Sequence, residues 1–161
     1  MALMNYRIAI IYTSVTGNTK ELAELLCSCF EELRLSSDLY EAKQFSLFEL
    51  KKFDAVVFAT YTWGNGEIPA VMRPLYEAFE QQNVQSIITG VAGTGDSFYP
   101  NFCGAVDLFK DMLYVKSNLA ATLKVELAPQ ESDIPRCKLF AKSILKRLEQ
   151  SWPQKLMEEV Q

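Results

Sequence analysis

The 161-residue chain contains no histidine. That removes the side chain most used for proton transfer near neutral pH, and with it Ser-His-Asp and Cys-His catalysis and every histidine-ligated metal site. Cysteine is sparse: Cys27, Cys29, Cys103 and Cys137 include no C-x-x-C pair, so the usual zinc and thioredoxin-type spacings are missing. Cys27 and Cys29 sit two apart on a predicted helix and point to different faces, and all four read as plain buried thiols. Unpaired thiols suit a reducing compartment, so a cytoplasmic location is expected. No apolar run approaches the ~18 residues of a membrane-spanning helix, and the first seven residues lack a signal-type apolar stretch. Cationic charge is short as well. Lys and Arg number 16 against 20 Asp and Glu, a net charge of −4 that suits neither nucleic acid nor an anionic membrane.

What is present is ordinary globular material. Hydrophobic residues make up 49% and charged residues 22%, enough to build one domain with a real core. Residues 1–151 read as that domain and 152–161, which carry Pro153, as a loosely packed C-terminal tail. Strand and helix patterns alternate throughout. Buried strands are predicted over 6–12, 54–60, 86–92 and 121–128, with a weaker edge strand over 38–43. Helices are predicted over 17–34, 70–82, 101–118 and 133–151. Ser46-Leu47-Phe48-Glu49 fits a capping box opening a short helical turn. Such alternation predicts an α/β fold, a parallel sheet with helices on both faces. The pattern leaves strand order open; the common five-strand doubly wound order is 2-1-3-4-5.

Ligands in such folds bind at the carboxyl ends of the strands, and three loops there are unusual. The first is Thr13-Ser14-Val15-Thr16-Gly17-Asn18-Thr19, which runs into a helix start. Free N–H groups, the helix dipole and four hydroxyls favour a phosphate group; a side chain merely capping the helix is the plainer alternative. Neither the Walker spacing nor G-x-G-x-x-G is present. The second runs through Tyr61-Thr62-Trp63-Gly64-Asn65-Gly66-Glu67. Trp63 offers a flat face to a planar ring, and the Gly64–Asn65 peptide is expected to adopt either orientation of a type I or II turn at little cost. The third is Gly93-Thr94-Gly95-Asp96-Ser97-Phe98-Tyr99, leading to Phe102 and Cys103. Tyr99 is a second aromatic for the ring, and Phe98 is expected in the core. Together the loops describe one ligand, with a phosphate at the first and a planar ring between aromatics of the others.

These residues resemble those of flavodoxins over essentially the whole chain. Ile10 to Thr19, with Ala23 and Leu26 behind, is similar to the family's FMN-phosphate signature; Thr62-Trp63-Gly64 and Gly93 to Asp107 are similar to its second and third flavin loops. The predicted last strand passes to its helix without a long insertion, which resembles the short-chain bacterial class. The resemblance implies a flavodoxin-like three-layer α/β/α sandwich with sheet order 2-1-3-4-5. It implies a low-potential one-electron carrier with non-covalent FMN, working as a monomer. An NADPH-dependent reductase of the flavodoxin/ferredoxin type would supply the electrons, and redox enzymes would take them in transient contacts. By the same resemblance, Thr13 to Thr19 hold the phosphate, Trp63 and Tyr99 flank the ring, and Tyr61 and Thr62 line the ribityl side. Gly95 and Asp96, with the loop backbone, meet the pyrimidine edge, and Gly66, Gly93, Thr94, Phe102 and Cys103 complete the site. The Gly64 carbonyl accepts from flavin N5–H when the semiquinone forms. Family members often have Asp where Asn65 stands. The runner-up is a flavodoxin-fold NAD(P)H:quinone reductase, against which no second dinucleotide motif is found.

Overall fold

A computed structural model describes the backbone of residues 4–160 and the side chains of residues 5–151. Strand β1 (Met4–Tyr12) is covered on both faces, as its unbroken apolar run requires. Ile8 and Ile10 point one way, toward Leu22, Leu26 and Phe30 of α1 (Asn18–Glu32) and Phe140 and Ile144 of α4 (Ile134–Val160). Ala9 and Ile11 point the other way. They join Phe58 of β3 (Ala55–Thr60), Phe79 of α2 (Arg73–Gln81) and Phe109 of α3 (Gly104–Lys116). Phe58 ties both helices of that layer to the sheet, stacked on Phe109 at 4.9 Å and edge-on to Phe79 at 5.2 Å. Such pairs contribute about 0.5–1.5 kcal/mol each beyond burial.

The sheet is completed by β2 (Leu35–Glu41), β4 (Ile88–Gly95) and β5 (Asn118–Glu126). All pairings are parallel and the order is β2-β1-β3-β4-β5, the three-layer sandwich that the alternation and the resemblance together imply. The chain leaves β1 toward one edge and returns to β3 on its other side. The loops after β1 and β3 therefore open onto one crevice at the carboxyl end of the sheet.

Several boundaries move from their sequence expectations. Helix α1 ends early, because Arg34 takes a φ of 61° and turns the chain directly into β2 at Leu35. The capping box at Ser46 does not form. The segment Leu47–Lys52 is a 3-10 helix with no side-chain cap, and the Ser46 carbonyl accepts from Glu49 N–H instead. Strand β4 runs three residues further than expected, so Gly93, Thr94 and Gly95 are ladder residues opposite Lys124, Val125 and Glu126. Helix α3 starts at Gly104 rather than at residue 101, since Asn101 and Cys103 hold φ of 59° and 51°. Helical backbone continues in α4 to Val160, across the expected 151/152 boundary. How the 152–161 tail packs lies outside the described side chains.

Candidate functional site

The loop after β1 is fastened at its start by Thr13 N–H, which donates to the Ala59 carbonyl of β3 at 3.1 Å. Ser14 Oγ accepts from Gly17 N–H at 3.1 Å, bending the loop back on itself. Val15, Thr16 and Gly17 are exposed, and Gly17 holds a φ of 95° at the N-cap position of α1. No side chain caps this helix. The reading of the loop hydroxyls as an ordinary cap therefore fails, and the first N–H groups of a 15-residue helix face the crevice with their dipole. Lys20 lies on the solvent side, 4.0 Å from Glu24. Thr19 behaves differently from its neighbours: its hydroxyl is buried and bonded to Thr94 at 2.8 Å.

The loop after β3 closes as a tight hairpin. Trp63 N–H donates to the Glu67 carbonyl at 2.8 Å, and the Trp63 carbonyl accepts from Gly66 and Glu67 N–H at 3.3 and 2.7 Å. Gly64 has a φ of 54° while Asn65 stays outside the positive-φ region. That combination is a primed turn, type II′, rather than the unprimed pair expected from sequence. Turning the central peptide converts II′ to I′, which needs Asn65 at positive φ, a region Asn tolerates better than most residues. Trp63 is 61% exposed with its ring free for a partner. Tyr61 and Thr62 are half-buried, and Thr62 Oγ1 accepts from Ala105 N–H of α3 at 3.1 Å.

Beyond β4, Asp96 opens an Asx turn, its carboxylate accepting from Phe98 N–H at 2.9 Å. Ser97 is latched to the end of β5, donating from N–H and hydroxyl to the Glu126 carboxylate at about 3.0 Å. Tyr99 is 65% exposed, as the ring-flanking role requires. The neighbouring Phe98 does not take its expected place in the core. Phe98 is 87% exposed, whereas Phe102 packs against the core beside α3. Cys103 turns inward, its thiol donating weakly to the Gly93 carbonyl at 3.8 Å and pushed up to about 11 by burial. Of the residues read as cofactor contacts, Gly93, Thr94 and Cys103 are thus buried and Phe102 half-buried, while Val15, Thr16, Gly17, Trp63, Gly64, Asn65 and Tyr99 are exposed. Two residues that brace the loops escape the sequence reading. Asn101 Nδ2 donates to the Asn65 carbonyl at 2.9 Å. At Gly104, a Cβ would lie 2.7 Å from Gly66 Cα.

The donor set fits a phosphate-bearing planar cofactor: an uncapped helix start with hydroxyls, and two exposed aromatic rings on the neighbouring loops. A cavity of about 220 Å³ adjoins the first loop, lined by Tyr12, Thr13 and Ser14 with Glu41 to Lys43 and Val71. Larger hollows of about 550 and 410 Å³ lie along α3 and β5 and at the amino ends of the strands, away from these loops. Among the described residues no cluster of acidic, Cys or His side chains could hold a metal, and no helix is long and apolar enough to cross a membrane.

The family model described as Flavodoxin matches residues 10–137. The chain belongs to the flavodoxin family. Probable flavodoxin 1 of Bacillus subtilis (strain 168) is 35% identical over 139 residues, covering 84% of this chain and 88% of that one. The solved flavodoxin of Streptococcus pneumoniae TIGR4 superposes with a TM-score of 0.81 at 34% identity, over 88% of this chain and 99% of its own. A short-chain flavodoxin associated with a non-canonical PDU bacterial microcompartment gives 0.84 at 29% identity, over 89% and 99%. The unbroken β5 agrees with a short-chain flavodoxin of bacterial type. The chain is thereby an FMN-binding electron carrier rather than an enzyme with a substrate site of its own.

Proposed function

We propose that this flavodoxin is a low-potential carrier that moves electrons one at a time from an NADPH-dependent reductase to redox enzymes. FMN, when bound, supplies the redox chemistry. The chain's residues do the rest. The loop Thr13–Thr19 and the start of α1 would bind the phosphate through N–H and hydroxyl donors. Trp63 and Tyr99 would sandwich the ring and keep water from its faces, and Gly93 to Asp96 would support its polar edge. The observation that carries the one-electron reading is the Gly64–Asn65 turn, with φ of 54° at Gly64 and Asn at the position that must cross to positive φ. Such a turn can present either an N–H or a carbonyl to the ring at small cost. The net charge of −4 favours basic partner surfaces and disfavours building negative charge on the ring.

Anaerobic titration of the purified protein, followed by visible absorbance, tests this. The expected result is released FMN on denaturation and two resolved one-electron steps in the folded protein, with no NADPH oxidation by the protein alone. A single two-electron step, or direct NADPH oxidation, would overturn the carrier reading in favour of a quinone reductase.

A further inference from the structure

We infer that Asn101 is a positioning residue that tunes the Gly64–Asn65 switch; this rests on the FMN reading above. Asn101 follows Pro100 in a stretch that the sequence pattern assigns to a helix. It holds a φ of 59° instead, a conformation Asn accepts more readily than other side chains. Its own carbonyl accepts from Gly104 N–H at 2.8 Å, which ties it to the start of α3. From there its side-chain amide reaches across to the second loop and donates to the Asn65 carbonyl at 2.9 Å.

The consequence lies in which peptides of the turn remain free. Trp63 and Glu67 are locked to each other through both N–H and carbonyl groups, and Gly66 N–H is held by the Trp63 carbonyl. Gly66 also lies so close to Gly104 that a Cβ there would meet Gly66 Cα at 2.7 Å. Asn101 then fixes the 65–66 peptide by its oxygen. Among the described residues neither the Gly64 carbonyl nor Asn65 N–H has a hydrogen-bond partner. Rotation of the 64–65 peptide changes only ψ of Gly64 and φ of Asn65. With the following peptide held, that rotation becomes a local event about a fixed pivot.

A fixed pivot has a different value in the two redox forms. The ring N–H that would donate to the Gly64 carbonyl exists only after reduction, so an ordered turn would be required in that form and not in the oxidised one. A clamp that orders the turn beforehand favours the form that needs it. A typical hydrogen bond contributes about 1 kcal/mol, so losing this one changes the relevant equilibrium about fivefold. For a one-electron couple that fivefold change is roughly 40 mV at 59 mV per decade, lowering the first potential.

The test uses the full chain with Asn101→Gly, which keeps the positive φ and adds no charge, and Asn101→Asp, which keeps the shape but cannot donate. In the FMN-free protein, amide exchange at Gly66 is expected to rise about fivefold in both variants, the worth of one hydrogen bond. In FMN-loaded Asn101→Gly, the first potential is expected to fall by the amount above while the second potential stays at its wild-type value. Unmoved Gly66 exchange and an unmoved first potential would overturn the assignment. So would a fall of both potentials together with affinity and Tm, which marks a merely structural contact. A wild-type chain that takes up no FMN would overturn the site reading, and the tuning role with it.

Discussion

Thr19 and Thr94 share a buried hydroxyl–hydroxyl hydrogen bond of 2.8 Å, joining the first turn of α1 to the last residues of β4. From sequence, Thr19 reads as part of the phosphate loop and Thr94 as a cofactor contact. Their hydroxyls instead serve each other and set the spacing between the phosphate loop and the third loop.

Thr19→Val and Thr94→Val, as near-isosteres, each leave the other hydroxyl buried and unpaired. Each is expected to destabilise the FMN-free protein by about 1–3 kcal/mol. The double variant is expected to be less destabilised than the sum, by about 1 kcal/mol or more, since two apolar groups then face each other. Urea unfolding of the three variants checks this, and strict additivity would refute it.

Lys20 lies on the solvent side against Glu24, so it would add little charge to a phosphate held at the start of α1. Lys20→Ala is expected to leave the FMN Kd within about threefold of wild type, less than about 0.7 kcal/mol. Fluorescence titration of the FMN-free protein reads it directly.

Asn65→Asp keeps a side chain suited to the turn and adds one negative charge beside the ring. A unit charge at ~10 Å is worth roughly 0.4–1.7 kcal/mol between ε ≈ 80 and 20, or roughly 20–70 mV for one electron. The second, more negative potential is expected to fall by that amount in a redox titration at low salt. An unchanged or raised value contradicts the electrostatic argument.

Gly104→Ala places a methyl 2.7 Å from Gly66 Cα and 3.0 Å from its carbonyl oxygen, both backbone atoms. The second loop must shift to admit it. Overpacking of this kind costs about 1–3 kcal/mol, offset in part by the better helix propensity of Ala. FMN affinity is therefore expected to fall more than stability does, measured by titration and thermal melting of the same preparation.

Burial pushes the Cys103 thiol up to about 11 and the Cys137 thiol to about 12, above the 9.0 of an ordinary thiol. A raised folded pKa means that the unfolded chain loses its proton first. Stability is fully present below about pH 8.5 and falls as pH rises toward the folded values, with a slope approaching one proton per thiol. Cys137→Ala should be less stable at neutral pH but show a shallower decline across pH 9 to 11, by urea unfolding.

The sheet and its layers were legible because Ile8 to Ile11 and Val56 to Phe58 are apolar without a break, and only burial on both faces explains that. The end of β4 was not legible. Gly93, Thr94 and Gly95 read as a loop because apolar side chains run out there. The glycine at 93 reflects close packing instead: a Cβ would lie 2.4 Å from Val106 Cγ2 of α3. Phe98, expected in the core, is exposed, since the segment between β4 and α3 has no period to read. Asn101 was hidden because a positive φ in a Pro-Asn-Phe stretch leaves no mark on hydrophobic patterning. The loop candidates stood out in the sequence because hydroxyls, glycines and a Trp in a loop have few other reasons to be there.

The missing cap on α1 reaches beyond ligand geometry. A phosphate bound there would complete a helix end that the sequence leaves open at Gly17. Folding and cofactor supply are then linked by mass action. At a free FMN concentration a thousandfold above Kd, the folded chain gains about 4 kcal/mol, a large share of the 5–15 kcal/mol that holds a typical domain together. Tm rises with free FMN as the signature of that linkage. In a cell, chain made faster than flavin arrives unfolds more often and meets proteases sooner, so the amount of carrier follows the vitamin supply as well as the rate of synthesis.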